Sequence, residues 1–270
     1  MKLTIFTPTY NREMTLKRLY KSLKSQKFKD FEWLIIDDGS DDQTESLIND
    51  FIGENILDIK YHKQNNLGKQ ACWNKALDLS QGKLFCGVDS DDILYGSSNL
   101  YNILHKYSDL LEKDEFLIGI RCNSINSVTQ KVDGISLTKN IGIFSYFDEL
   151  LKKDFQAERI DIFKKDILLK FKYPISGEIK FIPENWFYIE VTKNKYKFLY
   201  INEILGFYFD DENQNRLSKS NYLKHAKGHL ISSKSVISTL TWKNFFLRPD
   251  LYFKNLLKYS FIKIYLIFRS

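Results

Sequence analysis

Short apolar runs alternate with longer polar segments of helical spacing along the first 95 residues. Leu16, Leu19 and Leu23 recur on one helical face, which predicts a helix over 12–26. This alternation is typical of βαβ units and a largely parallel sheet, so we predict an α/β fold. The predicted strands are 3–7, 31–36, 59–62 and 84–88, and the predicted helices are 12–26, 44–51 and 68–79.

The alternation loosens beyond residue 100. A helix is predicted over 145–153 and a strand over 205–209, with mixed short elements between them. No repeat or Pro/Gly/Ser-rich linker divides the chain in this region. We therefore expect one continuous domain to about residue 216, followed by a C-terminal extension over 217–270.

The formal net charge of +6 is unevenly distributed. Residues 217–270 carry ten Lys or Arg and one acid, Asp250, so this tail holds +9 and the rest of the chain −3. A basic tail can attract nucleic acid, but its many Phe, Tyr, Leu and Ile residues favour an anionic membrane surface. We therefore predict no nucleic-acid partner.

The helical pattern of the tail is imperfect. Lys254 and Lys258 share a helical face, but Lys263 falls outside it, so a helix packed on the rest of the protein is the alternative. Polar side chains interrupt residues 256–268, which do not offer the length of apolar chain that spans a bilayer.

Two further features indicate the cellular compartment of the protein. Cys72, Cys86 and Cys122 lack paired metal-ligand spacing, so we expect free thiols. The sequence opens directly into an apolar run, without the basic region and long apolar stretch of a signal peptide. These features predict a cytoplasmic protein, with its tail peripheral on the inner face of the membrane.

The segment Asp89-Ser90-Asp91-Asp92 follows a predicted strand and places three carboxylates in four residues. Such crowding of negative charge is unfavourable unless a cation binds. Mg²⁺ and Mn²⁺ prefer hard oxygen ligands and often share their coordination with substrate phosphates, so we predict a metal–diphosphate site. The alternative is a solvated turn or helix cap, where Asp is also common.

Polar clusters also follow the first two predicted strands. The run TPTYNR offers an aromatic ring at Tyr10, a cation at Arg12 and backbone amides at a helix start, features that suit a nucleotide. An ordinary strand-to-helix turn capped by Asn11 is the alternative. In DDGS, Asp38 has the chemistry to accept a hydrogen bond from a base or ribose, although a type I turn also explains this run.

The run NNLGK precedes the helix that carries Asn74. Lys69 lies at the start of that helix, where its charge and the helix dipole together favour a diphosphate. A solvated surface lysine is the alternative. Because the carboxyl ends of parallel strands share one edge of a sheet, all four clusters are expected to meet there.

Together TPTYNR, WLIIDDGSDDQT, NNLGKQACWNKAL and VDSDD resemble family 2 glycosyltransferases, the GT-A class that includes many bacterial surface-polysaccharide enzymes. The resemblance covers 1–95 and, less closely, 158–218. It implies a Rossmann-like, mixed and mostly parallel sheet flanked by helices, with a helical basic tail over 217–270. The catalytic domain is expected over 1–216, with a nucleotide-sugar-binding half to residue 95 and an acceptor-binding half from 96.

The resemblance also implies roles for individual residues. Asp38 corresponds to the residue that contacts the base, with Tyr10 near it, and the Asp89–Asp92 segment supports the metal, diphosphate and ribose. Asp91 and Asp92 are the expected metal ligands for Mn²⁺ or Mg²⁺. The residues predicted to bind the donor nucleotide are Pro8, Thr9, Tyr10, Arg12, Asp38, Gly68, Lys69, Asn74, Asp89 and Ser90.

The acceptor side resembles bacterial surface-polysaccharide transferases over 158–161, 172–174 and 177–186. Glu184 corresponds to their catalytic carboxylate, which takes a proton from the acceptor hydroxyl, although Pro-Glu-Asn-Trp replaces the commoner Glu-Asp pair. Apolar neighbours such as Phe181 and Trp186 would partly withdraw it from water. Without the resemblance, a surface glutamate is the simpler interpretation.

A polar loop containing Arg216 follows the last predicted strand. In related enzymes this region often closes over the donor, and arginine binds phosphate well, but a solvated loop residue is the alternative. His225 and His229 have helical spacing without a nearby carboxylate, so we expect structural roles for them.

The resemblance implies an inverting hexosyl- or N-acetylhexosaminyltransferase. Its donor would be a nucleotide sugar, with a UDP-sugar favoured, and its acceptor a saccharide or lipid-linked saccharide of a surface glycan. A sugar nucleotidyltransferase is one alternative, although the Gly-rich, Lys-containing N-terminal loop of such enzymes is missing. A noncatalytic nucleotide-sugar-binding module is another, because fold alone does not establish activity.

Overall fold

The computed structural model describes residues 2–133, 137, 140–151, 157–210, 222–239 and 242–268. Ten strands within this part of the chain form a single sheet. They are β1 (Leu3–Thr9), β2 (Phe31–Asp37), β3 (Asp58–Lys63), β4 (Leu84–Gly87), β5 (Ile93–Leu94), β6 (Leu117–Asn126), β7 (Val132–Asp133), β8 (Ile141–Phe144), β9 (Arg159–Lys164) and β10 (Lys197–Tyr208).

The main strand order is β3-β2-β1-β4-β9-β6-β10-β5, with β7 paired to β6 and β8 to β10. Strands β1 to β4 are parallel, as predicted from the βαβ pattern. Strand β9 then runs antiparallel between β4 and β6, while β6 and β10 are parallel to each other. The sheet is therefore mixed but mostly parallel, and it continues without a break from the first half of the chain into the second.

Burial explains which apolar pattern each strand carries. All seven residues of β2 are buried, because helices cover both faces of this interior strand. Strand β3 forms the edge of the sheet and has no buried residue, with Lys60 and Lys63 in its sequence. Charged side chains of this kind protect a sheet edge from pairing with another chain.

Helices pack on both faces of the sheet and create two apolar cores. The helices are α1 (Glu13–Lys24), α2 (Thr44–Gly53), α3 (Lys69–Leu79), α4 (Asn99–Lys113), α5 (Tyr146–Leu151), α6 (Lys165–Leu168), α7 (Asn185–Lys193), α8 (Ala226–Thr239), α9 (Trp242–Leu247) and α10 (Pro249–Ile267). Trp33 and Ile35 face one core with α1, α2 and α4, while Leu34 and Ile36 face the other with α3 and α7.

The second half differs most from its prediction. The strand predicted over 205–209 is the end of the twelve-residue β10, which begins at Lys197, ends at Tyr208 and is more buried in its first half than in its second. The helix predicted over 145–153 is α5, and its predicted last residues lie outside the described part of the chain. Arg216 and the predicted boundary between the domain and the tail also lie outside it.

The tail forms helices that pack on the preceding domain. Helix α8 packs against α7, and α10 packs against α8. Arg248 Nη1 donates to the carbonyl oxygen of Leu150 at 2.6 Å, which adds a contact with α5. Within the described residues, every helix falls short of the length or apolar character that crossing a bilayer requires. As expected, Cys72, Cys86 and Cys122 are free thiols, and all three are buried.

Candidate functional site

Hydrogen bonds join the loops at the carboxyl ends of β1 and β2 into one surface, the platform, formed by residues 9–12 and 38–44. The backbone N–H of Asn11 donates to Ser40 Oγ at 2.9 Å, and that of Arg12 donates to Thr44 Oγ1 at 3.0 Å. Asn11 has a φ of 52°, a left-handed conformation that asparagine tolerates. The N-cap of α1 is Arg12 rather than Asn11. Tertiary contacts, more than a local helix cap, therefore fix this loop.

The side chains predicted to meet the nucleotide have different exposures on this platform. Tyr10 is 46% exposed and presents a ring on which a planar base can stack. Thr9 is buried, and its Oγ1 has no hydrogen-bond partner within the described residues. Arg12 is half-buried beside them. The platform thus offers an aromatic surface and a cation on one edge of the sheet.

Asp38 is buried at the end of β2 and holds the loop that precedes α3. Its Oδ1 accepts hydrogen bonds from the N–H of Leu67 at 2.8 Å and Gln64 Nε2 at 2.9 Å. Its Oδ2 accepts from the N–H of Gly68 at 2.8 Å. The sequence did not reveal this positioning role, and the contact of Asp38 with a base stays a prediction.

Gly68 is a point where the first and second halves of the chain touch. Its φ is +99°, and a Cβ there would lie 2.0 Å from the carbonyl oxygen of Lys180. Lys180 Nζ donates to the carbonyl oxygen of Asn66 at 3.1 Å. Only glycine combines this conformation with so close an approach. The contact brings the segment that leads to Glu184 against the start of α3, where Lys69 lies.

The aspartates predicted to bind a metal converge after β4. Asp89, Asp91 and Asp92 each offer a carboxylate oxygen, and these oxygens lie within 4.8 Å of one another. Burial and the charges of Asp89 and Asp91 raise the pKa of Asp92 to about 8, although the N–H of Phe209 donates to it. Ser90 is buried between them. These are the hard oxygen donors that Mg²⁺ and Mn²⁺ prefer, and a divalent cation would offset their mutual repulsion.

Lys69 connects this cluster to Glu184, on the side of the cavity that is predicted to bind the acceptor. Its Nζ lies 2.9 Å from Asp89 Oδ2 and 2.9 Å from Glu184 Oε1. Although burial opposes the charged form, the two carboxylates raise the pKa of Lys69 well above its ordinary value. The lysine is therefore a fixed cation between the aspartates and Glu184, and the solvated alternative does not describe it.

Glu184 occupies the N-cap position of α7. Its side chain is 53% exposed, so Phe181 and Trp186 do not enclose it. The ion pair with Lys69 orients the carboxylate instead. It faces the same cavity as the aspartates, as its predicted role requires.

One cavity is lined by residues from both halves of the chain. Its walls include five predicted site residues: Pro8, Lys69, Asp89, Asp92 and Glu184. The other predicted residues lie around it rather than in its walls, and these are Thr9, Tyr10, Arg12, Asp38, Gly68, Asn74, Ser90 and Asp91.

The side of the cavity that is predicted to bind the acceptor contains residues to which the sequence assigned no role. The segment 158–161 was singled out only through the weaker resemblance, which was the one available signal for it. Aromatic residues from α7 and β10 complete this wall because the sheet continues through β10. The lining residues of this side include Glu158, Arg159, Asp161, Tyr173, Tyr188, Phe207 and Tyr208.

Asn74 supports this wall from α3. Its Nδ2 donates to the carbonyl oxygen of Tyr173 at 2.8 Å, and the N–H of Tyr173 donates to its Oδ1 at 2.9 Å. This reciprocal pair fixes Tyr173, which lines the cavity. In this structure Asn74 has a positioning role, and its predicted donor contact stays a prediction.

A buried charge network lies behind the same wall. Arg121 forms ion pairs with Glu149 at 3.0 Å and with Asp161 at 3.1 Å, and the three side chains are almost completely buried. Tyr188 OH donates to Asp161 Oδ2 at 2.8 Å, and Tyr200 OH donates to Glu149 Oε2 at 2.7 Å. Because Asp161 and Tyr188 line the cavity, the network sets the shape of the wall that they form.

The family model described as glycosyl transferase family 2 matches residues 4–144. A curated relative is the GalNAc(5)-diNAcBac-PP-undecaprenol beta-1,3-glucosyltransferase of Campylobacter jejuni, 30% identical over 178 residues, which are 62% of this chain and 53% of the relative. Over 96 residues, 35% of this chain and 17% of the relative, the chain is 33% identical to the poly(ribitol-phosphate) beta-N-acetylglucosaminyltransferase TarS of Staphylococcus aureus. The match thus spans about half the length of the first relative and less of the second.

Solved structures share the architecture at low sequence identity. S. aureus TarS 1-349 in complex with UDP-GlcNAc has a TM-score of 0.66 at 17% identity, covering 96% of this chain and 72% of that one. The Pyrobaculum calidifontis mannosyltransferase in complex with GDP-Man and Mn²⁺ has a TM-score of 0.62 at 14% identity, covering 97% and 73%. These likenesses establish the fold, which is the GT-A fold predicted from the sequence.

Proposed function

Because this chain belongs to glycosyl transferase family 2, we propose that it transfers a sugar from a nucleotide sugar to a hydroxyl group of a growing surface glycan. The observation that carries the proposal is the meeting of Asp89, Asp92, Lys69 and Glu184 at one cavity. The aspartates and Lys69 lie on the donor side, and Glu184 faces them across the lysine.

The carboxylate cluster is suited to Mn²⁺ or Mg²⁺. Asp91 and Asp92 would hold the ion, with Asp89 beside them, because their oxygens converge. Burial, together with the charges of Asp89 and Asp91, raises the pKa of Asp92, and a bound cation would favour its ionised form. When bound, the cation supplies charge that stabilises a departing diphosphate. The mannosyltransferase with the same fold binds Mn²⁺ together with GDP-Man, in agreement with this assignment.

Lys69 would bind the diphosphate of the donor. It lies at the first position of α3, where the helix dipole also favours an anion. A diphosphate competes with Asp89 and Glu184 for the ammonium group, so donor binding would loosen the lysine's contact with Glu184. Tyr10, Arg12 and Asp38 lie on the adjacent platform, at the position proposed for the base and ribose.

Glu184 would act as the general base. A carboxylate in this role takes the proton of the acceptor hydroxyl as its oxygen attacks the sugar carbon from the face opposite the leaving diphosphate. Such a direct displacement inverts the configuration at that carbon. The half-exposed position of Glu184 at the cavity leaves it accessible to an acceptor.

The proposed donor is a UDP-sugar and the proposed acceptor a saccharide or lipid-linked saccharide. TarS binds UDP-GlcNAc in the structure with the same fold. The name of the Campylobacter relative describes glucosyl transfer to a saccharide linked to undecaprenol through a diphosphate. The transferred group is accordingly proposed to be a hexosyl or N-acetylhexosaminyl group.

Thermal-shift measurements with UDP, UDP-glucose, UDP-GlcNAc and GDP-mannose, each with and without Mn²⁺, test the donor assignment. We expect a manganese-dependent stabilisation by one of them, since selective binding to the folded state raises its stability. Asp91→Ala should abolish the manganese dependence, whereas the exposed helix variant Asp50→Ala should keep it. Stabilisation that persists in Asp91→Ala would contradict the metal assignment.

Product analysis then tests the reaction class. Transfer releases a nucleoside diphosphate from the donor, whereas a nucleotidyltransferase releases pyrophosphate from a nucleoside triphosphate. Donor binding without turnover over a panel of saccharide acceptors would favour a binding module. Inversion is checked by NMR of the anomeric proton in the product.

A further inference from the structure

Helix α10 turns an apolar row toward solvent. Phe253 is 50% exposed, Leu257 69% and Ile264 55%. At about 100° per residue, these three side chains fall within an arc of about 40°. Phe268, at the end of the helix, is 88% exposed and lies on the same side. A continuous exposed row of this kind marks an interaction surface, whereas apolar residues that are exposed singly are common on any protein.

The row is not the side by which α10 packs on the domain. Ile262 is completely buried, on the opposite side of the helix. Lys258 Nζ lies 2.8 Å from His229 Nδ1, so this lysine faces α8 instead of solvent. The helix is therefore held in place by its inner side, and the apolar row is left at the surface.

Helix α9 extends this surface beyond the start of α10. Phe246 is 77% exposed and Leu247 is 59% exposed. Phe245 joins the two helices through ring contacts with Phe246 and Phe253, whose centroids lie 5.6 and 5.7 Å from it. The interfacial face is defined here as Phe246, Leu247, Phe253, Leu257, Ile264 and Phe268.

Positive charges border the interfacial face. Lys254 and Lys263 are exposed, and at about 100° per residue they lie about 70° to one side of the row and about 110° to the other. In the sequence pattern, Lys263 falls outside the helical face that Lys254 and Lys258 share. In the structure it borders the other side of the apolar row. Asp250 is the one acid in the tail, and both its oxygens accept hydrogen bonds from Arg248 at 2.8 Å.

We propose that the interfacial face docks on an anionic lipid bilayer, with α10 lying in the plane of the membrane surface. The apolar side chains would enter the boundary between headgroups and acyl chains, while Lys254 and Lys263 meet lipid phosphates. A second copy of the chain fits less well, because it would bring the same lysines together without an unpaired carboxylate from the described tail to neutralise them.

The contacts of α8 connect this face to the candidate site. Ser232 Oγ donates to Asn185 Oδ1 at 2.7 Å, and Asn185 follows Glu184 directly. Gly228 lies so close to the backbone of Phe181 that a Cβ there would be 1.8 Å from its carbonyl oxygen. Docking through α10 would therefore hold the cavity at a fixed position relative to the bilayer, where the lipid-linked acceptor of the proposed function would lie.

Vesicle flotation of the full-length chain tests the proposal. Vesicles of phosphatidylcholine with phosphatidylglycerol are compared with vesicles of phosphatidylcholine alone, at low and high salt. We expect binding to the anionic vesicles, weakened by salt, and a loss of about tenfold or more in Leu257→Glu/Ile264→Glu. Val128→Glu is the matched control, since Val128 is 67% exposed but lies far from the tail in sequence.

The variants also separate this proposal from the transferase assignment. Lys254→Ser/Lys263→Ser should reduce the preference for anionic vesicles, and all tail variants should keep the thermal shift produced by the donor. Equal binding of wild type and Leu257→Glu/Ile264→Glu would overturn the proposal, as would equal binding to neutral and anionic vesicles. A lipid-free dimer that Leu257→Glu dissociates in sedimentation velocity would assign the face to a second copy.

Discussion

Lys69 and Glu184 form a 2.9 Å ion pair between residues that are 115 positions apart in the chain. The same ammonium group lies 2.9 Å from Asp89. One lysine thus holds the proposed base and the proposed metal site together. A donor diphosphate that recruits this lysine would release Glu184 toward the acceptor.

Substitution of Lys69 is expected to weaken donor binding. Lys69→Met removes the cation proposed to meet the diphosphate, and a hydrogen bond to a charged group contributes about 1.5–3 kcal/mol. Titration calorimetry with the donor and Mn²⁺ should show a Kd raised about 10- to 100-fold. Lys63→Met, which removes an exposed pair with Glu45, is the control and should leave the Kd unchanged. An unchanged Kd in Lys69→Met would remove the lysine from the donor site.

Substitution of Glu184 should separate binding from turnover. Glu184→Gln keeps the shape of the side chain but removes the base, whose contribution to rate is typically about 10²–10⁴-fold. We expect kcat to fall by this factor while the donor Kd changes little. Glu178→Gln, at an exposed residue paired with Lys227, is the matched control. Full activity of Glu184→Gln would exclude it as the base.

Gly68 is expected to tolerate no side chain. Gly68→Ala places a Cβ against the carbonyl of Lys180 at a backbone conformation with φ of +99°, so the loop must shift at a cost of about 1–3 kcal/mol. Denaturant unfolding should show this loss, accompanied by weaker donor binding because Lys69 moves. Gly177→Ala has open space around the new methyl group and serves as the control. Equal stability of the two variants would contradict the close contact.

Arg121 is expected to be essential for stability although it is not proposed to touch substrate. Arg121→Met leaves Glu149 and Asp161 buried without their cation, and breaking such a pair costs about 3–5 kcal/mol. The exposed pair of Lys106 with Glu203 is the comparison, and Lys106→Met should cost less than about 1 kcal/mol. Equilibrium unfolding of both variants measures the difference, and similar losses would show that the network contributes little.

The packing of the tail is expected to weaken in acid. Burial and the charges of Lys258 and His225 lower the pKa of His229 to about 4, below its value of about 6.5 in an unfolded chain. Between these two pKa values the unfolded state therefore binds more protons than the folded state. The stabilisation that the neutral His229 gives to the folded state is present above pH 6.5 and is lost as pH falls toward 4. We expect a loss of about 1–2 kcal/mol over this range.

Denaturant unfolding at pH 7.5 and 5.0 tests this dependence. The difference between wild type and His229→Gln isolates the histidine from carboxylates that titrate in the same range. His62→Gln on edge strand β3 is the control. A wild-type pH dependence that His229→Gln leaves unaltered would contradict the prediction.

The first half of the fold followed directly from local sequence pattern. Strands β1 to β4 and helices α1 to α3 lie within two residues of their predicted bounds, because short apolar runs and apolar residues at helical spacing report burial in consecutive layers. The second half of the fold was harder to predict from the sequence. Strand β9 inserts antiparallel between β4 and β6, and such a pairing depends on contacts between residues far apart in the chain.

The candidate site shows the same division between what local sequence predicts and what contacts between distant residues decide. The sequence by itself determined which chemistry is present: the carboxylates of Asp89, Asp91 and Asp92, the lysine at the start of α3, and the motifs that identify the family. Residue type and short spacing carry this information, since both are local properties of the chain.

Only the tertiary structure decided how these groups meet. The approach of Gly68 to Lys180 places Lys69 against Glu184, and the packing of α10 on α8 determines which side of the tail is exposed. Both outcomes depend on backbone contacts and burial between distant segments. Short-range spacing does not encode these contacts, because they arise only when the sheet and its helices have assembled.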